Sequence, residues 1–212
     1  MALNNLANLF STMQQWAIDR PDLVPQFQDA VDMAINDINQ VLRMKEQQTT
    51  VMLTPDANSY ITLPDDYLEW RAVRWLGTPR TTLTPLTPEG DTDEYQTDPP
   101  AGPPFYFTLD DDGTRMRILP LVGTDDQVQL KYWKKVPYLT NTPPNDTNWL
   151  LQKNANIILF GAMKYVEVYK RNDKGMATFG NLYSGEIDGL IRSGKRQQWS
   201  RTHARVSGRS TP

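Results

Sequence analysis

The chain contains a single histidine, His203, and no cysteine. A histidine that serves as a general base or a metal ligand needs neighbouring groups to orient it, and the residues around His203 provide none. A Ser-His-Asp triad would depend on this one side chain, which argues against a hydrolase. The lack of cysteine excludes disulfides, thiolate zinc sites and a cysteine nucleophile. The sequence therefore predicts a protein that is not an enzyme, with no catalytic residues, no metal and no cofactor.

Acidic residues cluster at three points, 65–66, 110–112 and 125–126. The run at 110–112 resembles part of a calcium loop, but the spaced oxygen ligands and closing Glu of a helix-loop-helix calcium site are missing. Asp is common in tight turns, because its side chain bonds to the nearby backbone. We therefore expect three solvated turns, with Gly113 completing a β-hairpin turn at the second cluster.

Bases and aromatic rings are interleaved in the run Lys131-Tyr132-Trp133-Lys134-Lys135. Such a run could follow a nucleic-acid backbone and stack its bases. It is also typical of a strand at the edge of a sheet, with Tyr132 buried and the lysines in water. Five residues are a weak signal for nucleic-acid binding, so the sequence favours the edge strand.

Positive charge is concentrated at the end of the chain. From Arg192 to Pro212 there are six basic residues and no acidic one, whereas the preceding residues carry 16 bases and 25 acids, a net charge of −9. A segment this basic and polar could bind phosphates or an acidic groove on another protein. The composition of this segment does not distinguish a phosphate-bearing partner from an acidic protein surface.

Four amphipathic helices are predicted to position these groups. The most apolar one spans residues 148–171, where hydrophobic side chains recur at three- and four-residue spacing around most of the helix. Asn145, Asp146 and Thr147 precede it as candidate N-terminal caps. The other helices are predicted at 3–20, 25–45 and 176–191.

The last of these helices contains three glycines, Gly180, Gly185 and Gly189. Each costs about 1 kcal/mol relative to alanine in a helix interior, so their repeated use needs a reason. We expect close packing against a neighbouring helix to supply it.

The middle of the chain has the alternation of β-strands, with turn signals between apolar runs from Thr49 to Tyr132. Prolines and polar residues between Pro79 and Pro104 predict a long loop. We therefore predict an α+β protein, mainly α, with a four-helix bundle-like core of two N-terminal and two C-terminal helices, an inserted antiparallel β module and an extended C-terminal arm. The predicted bounds are 1–47 and 145–192 for the helical domain, 48–144 for the β-rich module and 193–212 for the arm.

Four segments carry a resemblance to a known family. They are YITLPDDYL at 60–68, RILP at 117–120, VQLKYWKKVPYL at 128–139 and NWLL at 148–151. With the order of the predicted elements, these segments make the chain similar to the head-to-tail adaptor, or connector, proteins of tailed bacteriophages. The likeness spans residues 3–191, and its motifs are structural.

The resemblance implies a structural virion protein of the neck, made in the host cytoplasm. It implies a homo-oligomeric ring of twelve copies bound to the portal protein, with a tail or nozzle protein below and genomic DNA passing through the lumen without specific binding. No apolar run reaches the ~20 residues that cross a bilayer, so no membrane partner is expected. The arm residues expected to dock on the portal are Arg192, Lys195, Arg196, Trp199, Arg201, His203, Arg205 and Arg209. The alternative is a nucleic-acid-binding module that uses the same basic tail.

Overall fold

The computed structural model describes residues 3–17, 21–87, 102–110 and 112–199. Within this part of the chain, internal contacts define two compact units. The helical unit contains the chain up to Glu46 and again from Val136 onward, and the sheet unit is Gln47–Lys135. No helix in the described ranges is both long and apolar enough to span a bilayer.

Four α-helices make up the described part of the helical unit. They are α1 (Leu6–Trp16), α2 (Val24–Val41), α3 (Trp149–Tyr169) and α4 (Asp173–Trp199). α3 packs against both α2 and α4. Its central position explains its apolar sequence, because side chains such as Ile158 and Met163 are fully buried beside Phe27 and Ile35 of α2. The predicted helical periodicity is therefore the periodicity of this shared core.

The described part of the sheet unit contains seven strands. They are β1 (Gln48–Leu53), β2 (Tyr60–Thr62), β3 (Tyr67–Trp75), β4 (Thr81–Pro85), β5 (Tyr106–Leu109), β6 (Arg115–Leu119) and β7 (Val128–Lys134). Their order is β1-β7-β3-β4-β5-β6-β2. All neighbouring strands are antiparallel except β4 and β5, which are parallel.

The predicted fold class, a helical bundle with a small antiparallel insertion and an arm, is wrong. The sheet is large and mixed, and it has a hydrophobic core of its own, which includes Val73, Phe107, Ile118 and Leu130. A sheet that buries its own apolar face is a second structural unit of the protein rather than an appendage of the helices.

The difference arises at β4, which the sequence analysis assigned to a long loop. Its sequence, TTLTP, is short and follows a proline, so it looks like a loop by composition. Pro85 is tolerated because the amides of Thr84 and Leu86 donate to the carbonyls of Phe105 and Phe107, and neither bond needs an N–H from residue 85. β4 joins β3 to β5, so the sheet is continuous through it.

The predicted extended arm is also wrong over its described part, since α4 continues to Trp199. The apolar pattern fades after Ile191, but the helix still has a neighbour in the helical unit. A Cβ atom on Gly194 would lie only 2.8 Å from the Sδ atom of Met44, which is itself 5% exposed. This close approach is a tertiary contact that the local sequence does not reveal. Residues 200–212 lie outside the described residues.

The ends of the other helices also differ from the prediction. None of the three candidate caps before α3 is the cap, which is Asn148; its side chain accepts a hydrogen bond of 2.8 Å from the amide of Leu151. α1 ends at Trp16 and α2 at Val41, both earlier than predicted. α2 stops there because Leu42 adopts an extended backbone conformation.

Polar side chains hold the segment through which the chain returns to the helical unit. The buried amide of Asn39 on α2 donates to the carbonyl of Val136 at 3.2 Å and accepts from the amide of the same residue at 2.7 Å. Gln28 donates to the carbonyl of Leu139 at 2.9 Å, and the cap Asn148 also donates to Pro137 at 3.0 Å. Backbone groups without a partner in secondary structure are thereby satisfied.

We predict that Asn39→Ala lowers the free energy of unfolding by about 3 kcal/mol, because it leaves both backbone groups of Val136 buried without a partner. Gln40→Ala, one residue further on and exposed, is the matched control and should change stability by less than about 0.5 kcal/mol. Urea unfolding followed by circular dichroism measures both. Equal effects of the two substitutions would contradict an anchoring role for Asn39.

Candidate interaction sites

The residues predicted to dock on a portal lie partly on α4. Arg192 and Lys195 are exposed near the C-terminal end of this helix. Arg196 and Trp199 belong to its last turn, and their side chains lie outside the described part of the structure. A cation close to the C-terminal end of a helix interacts favourably with the helix dipole. Lys195 can therefore stabilise α4 without contacting a partner protein. Four further residues lie outside the described residues: Arg201, His203, Arg205 and Arg209.

The three glycines of α4 make no close contacts with the described residues, so the expectation of helix packing around them is wrong there. In that part of the chain, a Cβ atom added to Gly180, Gly185 or Gly189 would meet no atom within 4 Å. The close approach between helices occurs instead at Gly161 of α3, where an added Cβ would lie 2.9 Å from the Cβ of Ala34. The three glycine positions are spread around α4, with Gly180 and Gly189 on opposite sides of the helix, and each leaves open space among the described residues.

A polar cluster links three helices of the helical unit. Asp37 of α2 accepts hydrogen bonds of 2.7 Å from the Lys164 ammonium and the Tyr165 hydroxyl, both on α3. The ammonium lies 5.1 Å from the centre of the Tyr183 ring on α4. Tyr183 is 8% exposed, and its buried hydroxyl has no hydrogen-bond partner among the described residues. The cluster therefore holds one ion pair and one unsatisfied hydroxyl.

Lys164, Tyr165 and Tyr183 keep their protonation states around neutral pH because the pKa of each is raised. Burial lowers the pKa of Lys164, but the hydrogen bond and charge of Asp37 outweigh it, so the pKa is raised. Burial raises the pKa of Tyr165, and the bond to Asp37 raises it further. Burial and the charge of Asp37 raise the pKa of Tyr183 as well. Each pKa moves away from neutrality, so these groups position helices and are poorly suited to transferring protons.

The sites predicted from the sequence do not include this cluster, although the sequence contains a signal for it. Lys164 interrupts the apolar pattern of α3, and a lysine that is largely surrounded by core residues needs a carboxylate partner. Asp37 stands between the buried Ile35 and Ile38 on α2 in the same way. An ion pair between Asp37 and Lys164 could therefore have been predicted from the sequence, because each residue interrupts a predicted apolar helix face.

The lysine and aromatic run of the sheet unit lies on β7. Tyr132 is buried, as predicted, and its hydroxyl donates to Asp66 at 2.7 Å. The strand is not at an edge, however, since it pairs with both β1 and β3. Because side chains alternate along a strand, Lys131 and Trp133 lie on the face opposite to Tyr132. The five residues therefore do not form one basic patch.

The acidic clusters make turns in the described part of the chain. Asp112 accepts hydrogen bonds of 2.9 and 2.8 Å from the amide and hydroxyl of Thr114, and Gly113 has a positive φ of 66°. Asp126 accepts a bond of 2.9 Å from the amide of Gly123. Asp111 lies outside the described residues. Within the described ranges, no group of three His, Asp or Glu side chains is arranged to hold a metal ion.

The geometry of both units favours a protein that works through its surfaces. The polar cluster holds helices together, the acidic residues make turns, and α4 exposes Leu182 and three open glycine positions to solvent. The family model of the SU10 adaptor protein matches residues 4–208, and the chain belongs to this family of phage adaptors. The match confirms the resemblance to head-to-tail adaptor proteins that the sequence motifs carry. No curated protein matched the chain significantly.

We predict that Tyr183→Phe raises the free energy of unfolding by about 1 kcal/mol at pH 7, because it removes a buried hydroxyl without a partner. The pKa of Tyr183 is raised in the folded state, so the folded protein binds this proton more tightly than the unfolded chain does. The free energy of unfolding therefore keeps its neutral-pH value below about pH 10 and falls as the pH rises further. The substitution should therefore weaken the loss of stability above pH 10, although Lys164 still contributes to it.

Urea unfolding at pH 7 and at alkaline pH tests this prediction. Tyr169→Phe is the control, because Tyr169 is 60% exposed and should tolerate the change. A marked loss of stability in Tyr183→Phe at pH 7 would show that the hydroxyl has a partner.

Proposed function

We propose that the protein is a neck component of the virion that forms a ring of twelve copies, joins the portal protein to a tail or nozzle protein, and leaves a channel for the genome. The match to the adaptor family over residues 4–208 carries this proposal. An adaptor of this kind must present different surfaces to its upper and lower partners. The division of the chain into a helical unit and a sheet unit supports that requirement.

Exposed apolar side chains of the helical unit support the ring. Closed rings use heterologous contacts, in which two different patches of each copy meet. α4 contributes exposed apolar side chains, with Met176 38% exposed and Leu182 45% exposed. α2 and the end of α3 offer others, with Val41 54% exposed and Tyr169 60% exposed. Apolar groups of this size gain free energy when a neighbouring copy covers them.

The basic C-terminal segment, from Arg192 to Arg209, is the proposed contact with the portal. It has six basic residues and no acidic one, so it would pair with a carboxylate-rich surface. α4 leads directly into it and presents Arg192 and Lys195 to solvent. The basic charge is thus connected to a rigid helix, which would fix the direction in which the segment leaves each subunit.

The charge of the remaining chain suits a conduit for DNA. Excluding the basic segment, the protein carries 25 acids and 16 bases. A wall that binds many phosphates would retard the genome, since each ionic contact adds to the affinity. A net charge of −9 opposes such binding and supports passage without specific contacts.

We predict that a chain truncated after Trp199 folds like the native protein but fails to assemble with the portal. The truncation removes residues 200–212 and leaves α4 intact. Electron microscopy of the purified proteins, mixed with portal particles, would score rings that are coaxial with the portal and count their subunits. Thermal unfolding of the truncated chain should match that of the native chain.

A full-length variant with Arg201, Arg205 and Arg209 replaced by Gln separates the role of charge from the role of length. It should also lose portal binding, and increasingly so at higher salt. Normal assembly of both altered chains would exclude Arg201, Arg205 and Arg209 as the portal contact. Native protein that never forms a ring on the portal would overturn the proposed function itself.

A further inference from the structure

One face of the sheet unit carries polar and cationic side chains across four neighbouring strands. Backbone pairing places them in two adjacent rows. The first row is Met52, Gln129, Arg74 and Thr82, and the second is Thr50, Lys131 and Ala72. The residues that alternate with them, such as Val73 and Leu130, belong to the core on the other side of the sheet. We call the two rows, together with Arg80, the basic face.

Two adjoining depressions lie on the basic face and share Arg74 and Gln129 as lining residues. The larger has a volume of about 480 Å³ and also contains Arg80. The smaller, of about 170 Å³, contains Lys131. Among the described residues, no carboxylate lines either depression. The two together form a groove whose only charged side chains are cations.

The hydrogen-bond donors of this groove are unmatched within the described chain. Arg74, Arg80 and Lys131 form no ion pair there, although Arg115, Lys153, Lys164 and Lys170 each have a carboxylate partner. Trp75 also lines the larger depression and is 9% exposed, and its buried indole N–H has no partner among the residues that the structure describes. Several donors without acceptors favour an oxyanion ligand, and guanidinium groups bind carboxylates in bidentate fashion.

The same chain contains a segment with the complementary charge. Residues 88–100 carry Glu89, Asp91, Asp93, Glu94 and Asp98 and no basic residue. Every copy would therefore bring one cationic groove and one acidic segment, which are the two different patches that a heterologous contact needs. A phosphate-binding face would instead conflict with a channel that releases DNA.

We propose that the basic face binds the acidic segment 88–100 of a neighbouring copy, with Arg74, Arg80 and Lys131 pairing with its carboxylates. The inference rests on the proposed ring and adds a specific contact to it. The contact would neutralise the cations of the sheet unit inside the assembly, where they would otherwise attract the genome.

Two complementary full-length variants test this contact. The face variant, Arg74→Glu with Lys131→Glu, retains the acidic segment. The segment variant, with the five acids of 88–100 replaced by Gln or Asn, retains the basic face. In an equimolar mixture the two should form a 1:1 complex, detected by sedimentation of a fluorescently labelled partner. Neither variant should associate through this contact when alone, and the affinity of the mixture should fall about tenfold when the salt is raised to 1 M.

Lys134→Glu is the matched control for the Lys131→Glu part of the face variant, because it makes that charge change on the same strand outside the basic face. Studied alone, it should self-associate as the native chain does, since it retains both the basic face and the acidic segment, whereas the face variant alone should not. If the face variant unfolds, Arg74→Gln with Lys131→Gln replaces it. No complex in the mixture overturns the inference.

The ring is tested separately, by imaging native protein with the portal. If rings form while the mixed variants do not pair, the contact is wrong and the proposed function stands. If the variants pair while native protein forms no ring on the portal, the contact stands and the proposed function fails.

Discussion

The reciprocal hydrogen bonds between Asn39 and Val136 are the constraint on which the helical unit depends. Its core combines α2 with α3 and α4, yet the whole sheet unit lies between them in the chain. Closing a loop as long as this insertion costs conformational entropy. Packing of the helical core offsets that cost only if the chain re-enters the helical unit at one defined position. The buried amide of Asn39 fixes that place, and Gln28 and Asn148 extend the connection to the start of α3. Apolar packing stabilises the helices, while these few polar groups determine their register.

Charged side chains have different partners in the helical unit and in the sheet unit. In the helical unit, Asp37 neutralises Lys164 between helices, and Glu167, 3% exposed, accepts bonds from Lys170 and Asn172 at the turn into α4. These charges are satisfied internally and stabilise the positions of helices. On the basic face, Arg74, Arg80 and Lys131 have no carboxylate partner among the described residues. Unpaired charge on a rigid surface favours association with another molecule, whereas paired charge favours the fold.

Much of the fold could be predicted where local sequence decides the structure. α2 and α3 follow from apolar periodicity, and the Asp-rich hairpin turn between β5 and β6 follows from turn chemistry. The errors lie where tertiary contacts decide. β4 looks like a loop until its pairing with β3 and β5 is known, and α4 extends past its apolar pattern because Gly194 approaches Met44. These two elements account for the underestimated sheet and for the predicted arm.

The candidate interaction sites were harder to predict than the fold, because they too depend on tertiary contacts. The run Lys131–Lys135 was the visible basic motif, yet alternation along β7 places Tyr132 in the core and leaves Lys131 on the open face. The groove around Lys131 gains its other cations from β3 and from Arg80, which are far away in sequence. A basic surface built across strands has no linear signature, because cross-strand neighbours depend on register. The acidic segment of the proposed contact, in contrast, can be recognised from the sequence alone, since its acids cluster within residues 88–100.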